Sequence, residues 1–282
     1  MIDIDGLTYT YPGASEETLH GLGFSIAEQE IFGFLGPSGA GKSTTQKILI
    51  GLLTGYRGTI QVMGRELRDW GHDYYERVGV SFELPNHYQR LTALENLRHF
   101  GALYSGALAD PMEVLEQVGL AGDADKRVSE FSKGMKIRLN VARSLLHRPK
   151  LLFLDEPTSG LDPINAHHMK DLIRGVRDRG ATVFITTHDM NVADQLCDRV
   201  AFITQGRIRV IDAPATLKKR HGRRSLRITY GDGEEVELPL DGLSEDATFQ
   251  AILRDHHIET MHSQETTLEQ VFIEVTGEEL RA

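Results

Sequence analysis

The stretch EIFGFLGPSGAGKS, Glu30 to Ser43, decides the fold. Its first half is a short apolar run that ends in Gly36, and a helix-like pattern runs from Lys42 to Leu53. Between them GPSGAGKS, Gly36 to Ser43, fits the phosphate-loop pattern G-x-x-x-x-G-K-[ST] where a strand hands over to a helix. Gly36, Gly39 and Gly41 let consecutive backbone amides turn inward around phosphate oxygens, with Pro37, Ser38 and Ala40 spanning the rest of the loop. Lys42 can reach the outer phosphates, the Ser43 hydroxyl can ligate Mg²⁺, and Thr44 completes the nucleotide-binding set.

A loop of this kind needs a second half, an apolar strand ending in a carboxylate. LLFLDEP, Leu151 to Pro157, supplies it. Asp155 is placed to hold Mg²⁺, directly or through water, and Glu156 to orient or deprotonate an attacking water. LLFLDEP and ATVFITTHD are near-continuous apolar runs with a polar helix between them, the pattern of strands buried on both faces of a parallel sheet. In FSKGM, Phe131 to Met135, a Ser and backbone amides precede a helix-like run, an arrangement suited to an anion.

The surrounding chain sets bounds. Its 282 residues carry a net charge of −10, which argues against nucleic acid as a partner, since proteins that grip phosphate backbones show a basic face. A single cysteine, Cys197, forbids an internal disulfide and reads as a small buried hydrophobe. The N-terminal residues lack a signal pattern and no stretch approaches bilayer-spanning length, so a membrane role is expected to come through a partner chain. From Leu91 to Leu146 the spacing of Leu94, Leu97, Gly101 and Tyr104 predicts a mostly helical insert. Beyond Pro214, LKKRHGRR (Leu217 to Arg224) reads as an exposed basic connector, with contact to anionic lipid as an alternative. Alternating residues around GDG then predict a hairpin, followed by a short helix, a strand near Ile258 to His262, and a helix with a capping box from Thr266 to Glu269. The histidine pairs in AHHMK and DHHIETMH are read as solvated surface, with metal binding as the alternative.

Taken in order, the phosphate loop, FSKGM, LLFLDEP and the His188–Asp189 pair make the chain resemble the nucleotide-binding subunit of an ATP-binding cassette (ABC) transporter from Ile2 to about Pro214. The resemblance implies ATP and Mg²⁺ as cofactors, with Tyr11 stacking on adenine and Tyr9 as a rival. It also implies that His188 contacts the γ-phosphate, and that Asp162 in SGLD crosses to a partner subunit. FSKGM resembles the LSGGQ signature, so Ser132, Lys133, Gly134 and Met135 would hold the γ-phosphate of ATP bound to the other subunit, closing a two-fold dimer around two nucleotides. Phe131, Lys133 and Met135 depart from that signature toward a YSKGM form found largely in exporters with a separate permease. Glu83 stands where the family has a glutamine that contacts Mg²⁺, so a metal contact and an altered Mg²⁺ dependence are implied for it.

The expected fold is therefore α/β: a P-loop NTPase core over residues 1–215 with a helical subdomain at about 91–146, and a small α+β appendix over 216–282. The expected activity is ATP hydrolysis driving transport, with export favoured over import, through a separate transmembrane permease at the cytoplasmic membrane face. A homodimer is favoured over a paralogous pair. The alternative is a non-transport ATPase of the same class that powers a soluble assembly.

Overall fold

A computed structural model describes residues 1–222, 225–231, 233–264 and 266–277. They form two compact units, one over Met1–Ala213 and one from Pro214 onward. Along the first unit run β1 (Ile2–Tyr9), β2 (Leu19–Ile26), β3 (Ile31–Leu35), α1 (Lys42–Leu49), β4 (Arg57–Val62), β5 (Arg65–Glu66), β6 (Val78–Ser81) and α2 (Ala93–Gly101). There follow α3 (Pro111–Gln117), α4 (Lys133–Leu145), β7 (Leu151–Asp155), α5 (Pro163–Asp178), β8 (Thr182–Thr187), α6 (Met190–Leu196), β9 (Arg199–Thr204) and β10 (Arg207–Asp212).

Two sheets share one core. Strands β2-β1-β4-β5 form an antiparallel sheet in that order, and its alternation is visible in β1, where Ile2 and Ile4 are buried while Asp3 and Asp5 face solvent. The larger sheet runs β10-β9-β3-β8-β7-β6, parallel except for the outer strand β10. Every residue of β3 and β8 is buried, which is why both read as unbroken apolar runs. Between the sheets the ring of Phe184 lies 5.5 Å from those of Phe34 and Phe153, and Phe24 stacks on Phe32 at 5.5 Å. Cys197 is buried, and burial pushes its thiol well above the usual range, as suits a packing residue.

Two local expectations in this unit need correction. The helix after the phosphate loop stops at Leu49 rather than Leu53, because Gly51 takes a left-handed φ of 78° that ends the turn. The insert is helical as its spacing predicts, carrying α2, α3 and α4, but α2 ends at Gly101, and Tyr104 lies beyond it, stacked on His147 at 4.0 Å. Ring packing on a buried imidazole outcompetes another helical turn there.

The second unit contains α7 (Pro214–His221), β11 (Ser225–Tyr230), β12 (Glu234–Pro239), α8 (Ala247–Asp255), β13 (Ile258–Gln264) and α9 (Leu268–Thr276). Its antiparallel sheet has the order β12-β11-β13 around a small core of Ile228, Leu238 and Ile252. The stretch read as a connector begins instead within α7, where Leu217 is fully buried; Arg223 and Arg224 lie outside the described residues. The last capping box is shifted by one residue: the Gln270 amide N–H reaches Thr267 Oγ1 at 3.2 Å, and the Thr267 N–H reaches Gln270 Oε1 at 2.9 Å.

Truncating the ring that joins the aromatic layers should be costly. Phe184→Ala is expected to lower unfolding stability by about 3–5 kcal/mol, read from denaturant melts of the full chain.

Candidate functional site

The register of the parallel strands builds the site. Leu35 pairs with Thr187 across β3 and β8, Asp155 with Thr186 across β7 and β8, and Ser81 with Leu154 across β6 and β7. The carboxyl ends of four strands are therefore level, and the segments that leave them, from Gly36, Glu83, Glu156 and His188, rise from one edge. Open α/β sheets place ligands at such an edge.

At Gly36 the backbone passes so close to β9 that a Cβ would sit 2.1 Å from the Ile203 carbonyl oxygen, so no side chain is tolerated where the loop starts. The loop is pinned at its far end by the Gly206 N–H donating to Ala40 O at 3.0 Å, while Ser38, Gly39 and Ser43 face solvent. Lys42 Nζ donates to the carbonyls of Gly36 at 2.5 Å and Pro37 at 3.0 Å. Burial holds its ammonium below the usual lysine range, and the charges of Glu156, Asp155 and Glu83 pull back upward. The Tyr11 and Thr44 hydroxyls share a 3.0 Å hydrogen bond, which sets the Tyr11 ring beside the loop. Tyr9 is buried at 5% exposure and packs edge-on against Tyr11, which is 36% exposed, so Tyr11 is the ring with a face to offer.

Asp155 accepts a hydrogen bond from Thr186 Oγ1. Burial raises its carboxyl above the usual range, with Glu156 and Glu83 adding to the rise, while Thr186 and Lys42 oppose it. Glu156 is buried and holds a positive φ of 48°, a strained position for a residue with a side chain, supported by its N–H donating to Thr186 O at 2.9 Å. Its Oε2 accepts from Thr187 Oγ1 at 2.8 Å, and its Oε1 from the His188 N–H at 2.9 Å. His188 Nδ1 lies 2.6 Å from the same Oε1; a carboxylate only accepts, so that ring nitrogen carries the proton. Thr187 was not foreseen as a site residue, though its place at the end of an apolar run just before His188 is a usable signal.

Among the described residues no three His, Cys, Asp or Glu side chains converge as a metal cage. Mg²⁺ suits a different donor set, one or two carboxylates plus hydroxyl, water and phosphate oxygens. Asp155, with its raised carboxyl, and Ser43 fit that description. Glu83 is exposed and acts on Lys42 and Asp155 through space.

The signature residues open α4. Ser132 caps α4, accepting from the Met135 N–H at 3.2 Å, with Ser132 and Lys133 exposed and Gly134 and Met135 half-buried. The hydrogen bonds described above tie Lys42 to its own loop carbonyls, Asp155 to Thr186, and Glu156 to Thr187 and His188. The Lys133 side chain lies over Gly160 in SGLD, and Asp162 caps α5 by accepting from the N–H groups of Ile164 at 3.1 Å and Asn165 at 3.0 Å. The segment after β6 is tied to α4. Asn140 Nδ2 donates to Phe82 O at 2.8 Å, Arg143 to Asn86 O at 2.9 Å, and His87 Nε2 to Lys136 O at 2.9 Å. Burial pushes the His87 imidazole from its ordinary 6.5 down to about 4.

Comparison with known proteins places this geometry in a family. The family profile described as ABC transporter matches residues 19–159, and one described as fluoroquinolone efflux ABC transporter C-terminal domain matches residues 224–265. The chain is 57% identical, over 99% of its length and 94% of the relative's, to a fluoroquinolones export ATP-binding protein of Mycobacterium tuberculosis. It is 38% identical to a bacitracin transport ATP-binding protein of Bacillus licheniformis, over 82% of this chain and 76% of that one. A solved dimeric ATP-binding cassette in a post-hydrolysis state, bound to ADP and Pi, superposes with a TM-score of 0.69 at 27% identity, covering 76% of this chain and 98% of that one.

His87 gives the fold an acid sensitivity of known sign. The unfolded chain takes a proton there near pH 6.5 and the folded chain only near 4, so stability is full above 6.5 and falls as pH drops through that window. The loss should approach about 3 kcal/mol below pH 4. His87→Gln, which keeps a donor toward Lys136, should flatten the decline in denaturant melts taken across that range.

Proposed function

The chain belongs to the ABC transporter family as an ATP-binding subunit that hydrolyses ATP to drive export, and from that premise we propose how its residues share the work. The observation that carries the proposal is the level register of β3, β8 and β7, which gathers Lys42, Asp155, Glu156 and His188 at one sheet edge. Tyr11 stacks on the adenine. The Gly36–Gly41 amides and those opening α1 hold the phosphates, and Lys42 leaves its loop carbonyls to meet the outer ones.

Ser43 and Asp155 hold Mg²⁺, with Glu83 contributing, and the ion when bound neutralises phosphate charge. Glu156 takes a proton from the water that attacks the γ-phosphorus, and the bond to the bridging oxygen of ADP breaks as the new P–O bond forms. Its Oε2 accepts from Thr187 and keeps a second lone pair for that water. His188 fixes the carboxylate through Nδ1, and its ring, half exposed, faces the γ-phosphate.

Ser132 and Gly134 serve the nucleotide of a second copy, because both half-sites are present in one chain and stand on different elements. The solved dimeric cassette supports this reading. Lys133 over Gly160 would then tie the signature to the Asp162 loop that meets the partner. Among the described residues no helix is long and apolar enough to cross a membrane. The relatives' names as ATP-binding proteins of export and transport support a separate permease, met at the cytoplasmic membrane face. That permease docks around Glu83 to Asn96, where Leu84 is 80% and Tyr88 49% exposed. Identity to the fluoroquinolones export protein along nearly the whole chain, with the match over residues 224–265, supports a fluoroquinolone as the exported compound. The relatives' export and transport names disfavour a soluble assembly ATPase.

Glu156→Gln should lower ATPase turnover by about 10²–10⁴-fold and trap an ATP-bound dimer in gel filtration. Wild-type turnover from a monomer would remove Glu156 from the role. Glu83→Gln should shift the Mg²⁺ concentration for half-maximal ATPase activity; an unchanged rate and an unchanged Mg²⁺ curve together would remove Glu83 from the metal's surroundings.

A further inference from the structure

We propose that Gln46 is a positioning residue for the Asp155 carboxylate, acting from α1 through the hydroxyl of Thr186. The inference rests on reading Asp155 as a metal ligand.

Gln46 lies in the second turn of α1, the helix opened by Lys42 and Ser43, and is 2% exposed. A buried amide costs free energy unless both its ends find partners. One end meets Thr186 Oγ1 at 3.0 Å, while the other, assigned as Nε2, has no partner among the described residues. The same Thr186 oxygen hydrogen-bonds to Asp155 and lies 3.4 Å from Leu154 O.

A hydroxyl has one proton to give. Asp155 as a carboxylate only accepts, and its charge makes it the strongest claimant for that proton. With the proton committed to Asp155, a Gln46 oxygen 3.0 Å from Thr186 Oγ1 would set two acceptors face to face. Rotating the terminal amide by half a turn removes the conflict, since its nitrogen and oxygen are nearly the same size and are assigned from their bonding. Nε2 then donates to Thr186 Oγ1, whose own proton goes to Asp155 Oδ1, and the unmet atom becomes a carbonyl oxygen, a lesser cost than an orphaned N–H. The result is a one-way chain from α1 to the carboxylate, each bond polarising the next. It holds the carboxylate from the same helix that carries Lys42 and Ser43, so the groups assigned to phosphate and to metal are set by one rigid element.

The test measures binding of a fluorescent ADP analogue to the full chain without and with Mg²⁺, alongside thermal melts. Gln46→Leu removes the donor and the orphaned atom while keeping an apolar filling, so it should melt no lower than the parent. Its metal-free affinity should hold within about twofold, and the gain in affinity on adding Mg²⁺ should shrink by about fivefold, the worth of one hydrogen bond. Thr186→Val should shrink that gain similarly, and the double variant should lose no more than either single one. An unchanged Mg²⁺ gain in Gln46→Leu, or equal losses with and without metal, overturns the inference. Asp155→Asn separates the two readings: if it abolishes the gain while Gln46→Leu does not, only the relay fails; if it too leaves the gain intact, the metal assignment of Asp155 fails and the relay with it.

Discussion

Hydrogen bonding between β3, β8 and β7 is the constraint on which the rest of the molecule depends. A parallel ladder gives no freedom of register once both faces are buried, because a slip of one residue would turn every side chain to the opposite layer. With Leu35 opposite Thr187 and Thr186 opposite Asp155, the phosphate loop, the carboxylates and His188 have to leave the sheet at one level. The Phe34, Phe184 and Phe153 rings beneath them enforce that register, since each occupies space only its own alternation leaves open.

This edge concentrates charge as well as geometry. Asp155, Glu156 and Glu83 all act on Lys42, whose ammonium is turned back onto the carbonyls of its own loop. On the proposed reading this arrangement suits a ligand that brings phosphate to the lysine and a cation to the acids at once. Strain is present where the proposed chemistry is sharpest. Glu156 keeps an unfavourable backbone because the Thr186 carbonyl, Thr187, and both the backbone and ring of His188 hold it from four directions.

Much of this was legible because motifs are local. GPSGAGKS and LLFLDEP each carry strand, turn and functional group within a few residues, so reading them needs no knowledge of distant contacts. The failures have the opposite character. Tyr104 fits a helical spacing with Leu97 and Gly101, yet its ring is claimed by His147, remote in the chain. Leu217 seemed part of a basic connector because its neighbours are cationic, yet it is fully buried. Nothing in the spacing around Gln46 marks it, and only the position of β8 shows that its amide reaches Thr186.

Residue type and spacing alone determined the strand–loop–helix order, the presence of two carboxylates after an apolar strand, and the division into an α/β core with a smaller α+β part. Those features are encoded in periods of two and three to four residues and in glycines that short segments need for their own conformation. Tertiary structure decided which tyrosine has an exposed face, that His188 closes onto Glu156, and that Lys133 lies over Gly160. It alone decided these because each depends on which strands become neighbours, and strand adjacency is set by the packing of whole sheets rather than by any local stretch.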